Sequence, residues 1–166
     1  MRSTVSHTSA KPTVRCCKSE ADLCKITVYR YDDQEFADGQ IIESRGDSFS
    51  TLTDPQKAVE TTIRAALPNG ATVRGNSLYT WADEEVAKRL WPRSKKRYLY
   101  ELEVDEADIR HKGDLNHYSE AVSAAKSGAP IENAVGKYCA GENAGAPYTE
   151  PRVEILVSKA TVLRKQ

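Results

Sequence analysis

Three separated stretches hold side chains that could act on one bond: Arg30 in TVYRYDD, Ser77, Tyr79 and Trp81 in SLYTWADEEVAKRL, and Glu154 in EPRVEILV. Arg30 is a permanent cation near the end of a β-branched, aromatic run. Its planar fork suits a phosphate or ribose oxygen, and an ion pair with Asp32 or Asp33 is the plain alternative. Tyr79 and Trp81 stand at a strand-to-helix corner. An aromatic there can floor a pocket for a planar ring or simply fill core, and Ser77 offers a hydroxyl to a neighbouring acid. Alternation sets Val153, Ile155 and Val157 on one face and Arg152, Glu154 and Leu156 on the other. The acid is therefore either solvated on a polar face or held there for use. A carboxylate, an aromatic plate and a cation together can stabilise positive charge developing on a sugar while a planar group departs.

Other signatures narrow the field. No Gly-x-Gly-x-x-Gly, Walker-type or Gly-x-Ser-x-Gly loop occurs, and His7, His111 and His117 lack a partner cysteine or acid motif. His111 and His117, in IRHKGDLNHYSE, read as solvated. Cys16, Cys17, Cys24 and Cys139 have neither C-x-x-C nor Cys/His spacing, so they read as free thiols and no metal is expected. With 24 basic against 24 acidic residues and 39% hydrophobic content, the bulk composition suggests neither wholesale nucleic-acid binding nor general disorder. One basic, aromatic stretch stands out, RLWPRSKKRYLY at 89–100, which either tracks a phosphate backbone or is a solvated loop. Apolar runs fall far short of the roughly 20 residues that span a bilayer, and the N-terminus lacks the apolar core of a secretory signal. The expectation is a monomer without membrane contact, cytoplasmic where it is made.

The elements that must position these residues follow from pattern. Residues 1–24, rich in Ser, Thr and Lys, read as a flexible leader, compatible also with export into another cell; residues 25–166 read as one α+β domain. KITVYRY predicts a strand. TDPQKAVETTIRAALPNG predicts a helix capped by Thr53 or Asp54, with Pro55 in its first turn, Ala58, Ile63 and Leu67 in register, and Pro-Asn-Gly as its stop. Ser77–Thr80 is a short strand, and Asp83 caps a helix with Val86, Ala87 and Leu90 inward. RYLYELEV alternates as a half-buried strand, LNHYSEAVSAAKSG is a helix closed by Gly128, GENAGAP is a loop, and RVEILVSKATVLRK is one long or two adjoining strands.

The three features occur in the order of the ADP-ribosyltransferase superfamily, which cleaves NAD with one signature residue on each of three strands. Those are an Arg or His on the first, a Ser- or Tyr-bearing strand running into a helix, and a Glu on the last. VYRY, SLYTWADEEVAKRL and RVEILVSKATV stand in those places. The second resembles the diphtheria-toxin and poly(ADP-ribose) polymerase branch, where a Tyr and a small residue cradle nicotinamide. A helix ending IRAALP, a YLYELEVD strand and a DLN turn resemble small bacterial members, and the likeness runs over about residues 26 to 163. It implies a fold of two small packed sheets with flanking short helices, and NAD as substrate without a metal. Glu154 is then catalytic with Ser77 orienting it, Glu150 is the second choice of acid, and Arg30, Tyr31, Tyr79 and Trp81 bind the dinucleotide. The implied activity is mono-ADP-ribosyl transfer, toxin- or effector-like, to a protein or nucleic acid. A degenerate domain that binds a protein or nucleotide, and NAD hydrolysis without an acceptor, are the alternatives. Arginine-specific members carry a second Glu two residues before the catalytic one; Arg152 stands there, which disfavours arginine modification. Arg30 in place of the His of the diphtheria-like branch mixes two branch patterns.

Overall fold

Alternating apolar side chains make β1 (Lys25–Asp32) and β4 (Tyr98–Asp105) the longest strands of the computed structural model, which describes residues 24–166. They pair antiparallel throughout, from Lys25 opposite Asp105 to Asp32 opposite Tyr98, and bury Val28, Tyr100, Leu102 and Val104 on one face. β2 (Ile41–Glu43), β3 (Leu78–Trp81), β5 (Ile109–Asp114), β6 (Val153–Val157) and β7 (Lys159–Lys165) complete a seven-stranded antiparallel sheet in the order β2-β7-β4-β1-β3-β6-β5.

One residue, Ser158, separates β6 from β7, yet β4, β1 and β3 lie between them in the sheet. Laid flat, four strand spacings would hold them about 19 Å apart, whereas two Cα–Cα steps reach only about 7 Å. The sheet therefore bends back on itself. The bend falls where β1 meets β3, which are joined by the single pair Tyr29 and Trp81. In place of the two separate sheets expected, hydrogen bonding runs unbroken through one sheet whose halves face each other. Val28, Tyr100 and Val162 of one half meet Leu78, Ile155 and Val157 of the other in the main core.

Among the described residues five helices flank the sheet: α1 (Asp54–Ala66), α2 (Gly70–Gly75), α3 (Glu84–Ser94), α4 (Leu115–Lys126) and α5 (Glu132–Cys139). The Gln56 side chain accepts from the Thr53 N–H at 3.0 Å, closing the start of α1. Ala58 is exposed, and the buried stripe of α1 is instead Val59, Glu60 and Ile63. Val59 and Ile63 join Ala121 of α4 and Val135 and Tyr138 of α5 in a second core. Pro-Asn-Gly ends α1 as expected but also starts α2. Asn69 turns the chain at φ 52, and α2 then lies so close to α1 that a Cβ on Gly70 would stand 2.1 Å from the Arg64 carbonyl oxygen. The charged stretch at 109–114 is strand β5, because its neighbours β6 and α5 cover it. Among the described residues no helix is long and apolar enough to cross a membrane. The expected leader, with Cys16, Cys17 and His7, lies outside the described residues apart from Cys24; Cys24 and Cys139 are free thiols.

Candidate active site

Neighbours on both sides bury β6, so Glu154 is only 5% exposed and is no solvated edge residue. Across the ladder it faces Trp81 of β3 and Gly113 of β5. Its partners come from the helices above. Arg74 Nη1 of α2 donates to Oε1 at 3.0 Å, and the Tyr138 hydroxyl of α5 donates to the same oxygen at 2.5 Å. Tyr138 can lie that low because Gly113 has no side chain: a Cβ there would sit 2.4 Å from Cε2 of its ring. Among the described residues, hydrogen bonds to Glu154 end on Oε1, and Oε2 is left for the cleft.

Arg74 is shared by two acids. Its Nε and Nη2 reach Glu60 of α1 at 3.0 and 2.9 Å, and its guanidinium lies 5.0, 5.4 and 5.8 Å from the ring centres of Tyr79, Tyr138 and Tyr118. Burial works against that charge, but Glu154, Tyr138 and Glu60 outweigh it and hold the guanidinium above its ordinary range. Burial, reinforced by Glu154, pushes the Tyr138 phenol well up, and burial also raises Tyr79 and Tyr118. All three phenols therefore stay protonated at neutral pH. The Tyr79 hydroxyl donates to the Arg74 carbonyl at 2.5 Å, which fixes its ring beside the carboxylate.

These groups form one wall of a cleft of about 250 Å³ lined by Glu154, Tyr79, Arg74, Glu60, Tyr118 and Arg64. Arg64 spans Glu60, at 3.0 Å, and Asp47, at 2.7 Å. Of the charged groups that line the cleft, Glu60 and Glu154 are matched by Arg64 and Arg74, and the Glu154 oxygen that carries no hydrogen bond is the negative group left free to meet a ligand. Such a site favours positive charge developing nearby, and the Tyr79 face beside it suits a flat ring. Among the described residues no three His, Cys, Asp or Glu side chains gather as a metal site would need.

Arg30 is not in this cleft. It alternates with Val28 onto the concave side, pairs with buried Asp32 at 3.1 Å and donates to the Tyr79 carbonyl at 3.0 Å. Burial lowers its guanidinium below its usual range. Arg45 adds two bonds to Asp32, at 2.6 and 2.7 Å; with the Gln34 N–H and Arg30 these overcome burial and keep that carboxyl below its ordinary value. Arg30 and Asp32 line a second cavity of about 170 Å³ with Arg45, Phe36, Ile42 and Leu78. The ion pair is the role the structure gives Arg30, on the opposite face of the sheet from Glu154.

Ser77 is buried, but its hydroxyl accepts from Arg110 at 3.3 Å and does not orient the acid; Arg74 and Tyr138 do. Tyr31 and Trp81 support α3: the Tyr31 hydroxyl donates to the Ala87 carbonyl at 2.7 Å and the two ring centres are 5.9 Å apart. Glu150 precedes β6, is partly exposed and pairs with Arg89, so it is not a second acid on the Glu154 strand. His111 and His117 are not the solvated residues expected. His117 is 5% exposed on α4, and His111 packs against Tyr138 with ring centres 5.1 Å apart, where burial and then Arg74 lower its pKa.

Glu60, Arg74, Tyr118 and Tyr138 escaped sequence reasoning. Glu60 left a trace, a lone acid between Val59 and Ile63 in the buried stripe of α1. Arg74 rides on a six-residue helix and Tyr138 on one of eight, too short for a periodic signal. Comparison with protein-family models and with curated proteins gives no match to this chain.

Proposed function

We propose that the chain is an NAD-dependent mono-ADP-ribosyltransferase whose reacting end lies in the Glu154–Tyr79 cleft. The observation that carries the reading is a buried carboxylate with one oxygen anchored and the other turned to a cleft floored by an aromatic ring, on two neighbouring strands that bear the second and third sequence features. The cleft is smaller than the roughly 300–1,000 Å³ of most ligand sites, so it takes one end of the dinucleotide, the nicotinamide and its ribose.

In that reading the ring stacks against Tyr79. The bond between the ribose C1′ and the ring nitrogen breaks, and its electron pair neutralises the pyridinium. The Glu154 carboxylate, through the oxygen that carries no hydrogen bond, lowers the energy of the cationic sugar that remains. A nucleophile of the acceptor then bonds to C1′ and gives up its proton. Arg64, at the side of the cleft, takes the diphosphate contact that sequence reasoning gave to Arg30.

Titration calorimetry with NAD tests the location. Tyr79→Ala and Arg64→Ala are each expected to weaken binding about tenfold or more, while Arg30→Ala changes it little. Loss with Arg30→Ala alone would move the dinucleotide to the other cavity.

A second reading has its own observation. Arg74 already pairs with Glu154, and Arg30 does not converge on it. A domain that keeps the fold but binds a protein or nucleotide without turnover fits a carboxylate committed to structure. It predicts NAD or nucleotide binding, if any, without nicotinamide release.

A further inference from the structure

The stretch 89–100, which the cleft does not use, forms the end of α3 and the start of β4. Three of its cations, Arg93, Lys95 and Arg97, are exposed, and their side chains form no ion pair among the described residues. Arg89 and Lys96 by contrast are matched by Glu150 and Asp33. In a chain of zero net charge, that leaves three uncompensated positive charges within five residues. Lys165, which lies 5.0 Å from the centre of the Tyr98 ring, is matched by Glu35 and adds no net charge to the patch.

Two features set this patch apart from an ordinary solvated face. The first is the backbone of Lys95, which ends α3 at φ 59. Glycine is the usual residue in that left-handed position, and a side chain there is strained. Helix termination alone favours glycine, yet a lysine stands at the centre of the patch. The second is aromatic surface among the cations. Trp91 is partly exposed, and its indole N–H donates to the Lys96 carbonyl at 2.9 Å, which holds the ring against the turn; Tyr98 packs toward the main core beneath Lys165.

We propose that this turn is a binding surface for single-stranded nucleic acid. Arg93, Lys95 and Arg97 contact successive phosphates, and Trp91 offers a face on which an unpaired base stacks. Stacking is what favours a single strand: a duplex hides its base faces, and a vesicle surface has none. The inference stands apart from the reaction proposed for the cleft, since it concerns binding alone.

Fluorescence anisotropy of a labelled oligothymidylate of about 10 nucleotides tests it on the full chain, over a series of salt concentrations. With three phosphates engaged, log K is expected to fall against log salt with a slope near about −2. Arg93→Gln/Lys95→Gln/Arg97→Gln should weaken binding at least tenfold, and Trp91→Leu should weaken it with the salt slope unchanged. Lys95→Gly separates function from structure: it should bind more weakly while melting at the same temperature or higher. Four results would overturn the proposal: no binding at low salt, equal binding by the triple variant, equal affinity for a duplex or for anionic phosphatidylserine vesicles, or a fall in melting temperature for Lys95→Gly. The last would mean that the lysine serves the helix end.

Discussion

Replacing Gly113 with alanine is the smallest change that should break the candidate site. The new Cβ would fall 2.4 Å from Cε2 and 2.8 Å from Cδ2 and Cζ of Tyr138. That ring cannot yield freely, because it is fully buried between the second core and the sheet. Overpacking of this kind costs about 1–3 kcal/mol. Lifting the ring also draws its hydroxyl away from Glu154 Oε1, to which it donates at 2.5 Å, and from Arg74 Nη1, from which it accepts at 2.5 Å, and a buried polar group left short of a bond costs about 1–3 kcal/mol more. The sum is about 2–6 kcal/mol, or a fall in melting temperature of roughly 5–20 °C for a domain of this size. Urea unfolding followed by circular dichroism measures it. The cause is then isolated in a Tyr138→Ala background, where the same substitution should cost under about 0.5 kcal/mol, giving a coupling of about 2 kcal/mol or more. Gly113→Ala within about 0.5 kcal/mol of the parent, or an equal penalty without the Tyr138 ring, would refute the close approach on which the site is built.

Removing the shared cation should be costly in a different way. Arg74→Met removes the cation that Glu60 and Glu154 share, leaving Glu154 buried with no cation and Glu60 with Arg64 alone, and is expected to destabilise by about 3–5 kcal/mol, whereas Glu60→Gln/Arg74→Met/Glu154→Gln should recover much of that loss, both read from urea midpoints. Acid sensitivity should trace partly to His111. Its folded pKa lies below the ordinary 6.5, so the unfolded chain takes up the proton first. Stability from this group is present above about pH 6.5 and is lost as pH falls through that value toward the folded pKa. Between about pH 7.5 and 5.5, His111→Gln should therefore show a shallower decline in unfolding free energy than the parent, and an equal slope would remove the histidine from the account.

What could be read from the chain was whatever rests on local pattern. β1, β4, α1 and α3 carry enough alternation, capping and helical register to be seen in isolation, and Asp83 caps α3 as its position suggests, accepting from the Val86 N–H at 2.9 Å. The bend of the sheet was not visible, because it depends on one residue, Ser158, joining strands that pair with different neighbours. The site was half visible for the same reason. Glu154 and Tyr79 announce themselves by type and by their apolar flanks. Arg30 has the right chemistry but alternates onto the wrong face, a fact that follows only from the register of β1 against β3. The groups that hold Glu154 come from α2 and α5, brought in by tertiary contact and by the absence of a side chain at Gly113.

The central proposal is that Glu154 stabilises the cationic ribose left as nicotinamide departs. Purified protein is incubated with NAD labelled in its adenylate half and a cell lysate, beside Glu154→Gln, which keeps the size of the side chain and its capacity to accept from Arg74 and Tyr138. Free nicotinamide and label on protein or nucleic acid are followed, with circular dichroism to confirm that the variant is folded. The account predicts nicotinamide release and label transfer by the parent, and a loss of at least a hundredfold in the folded variant. Equal release by both proteins would contradict the role of Glu154, and no release by either would leave the cleft as a binding site.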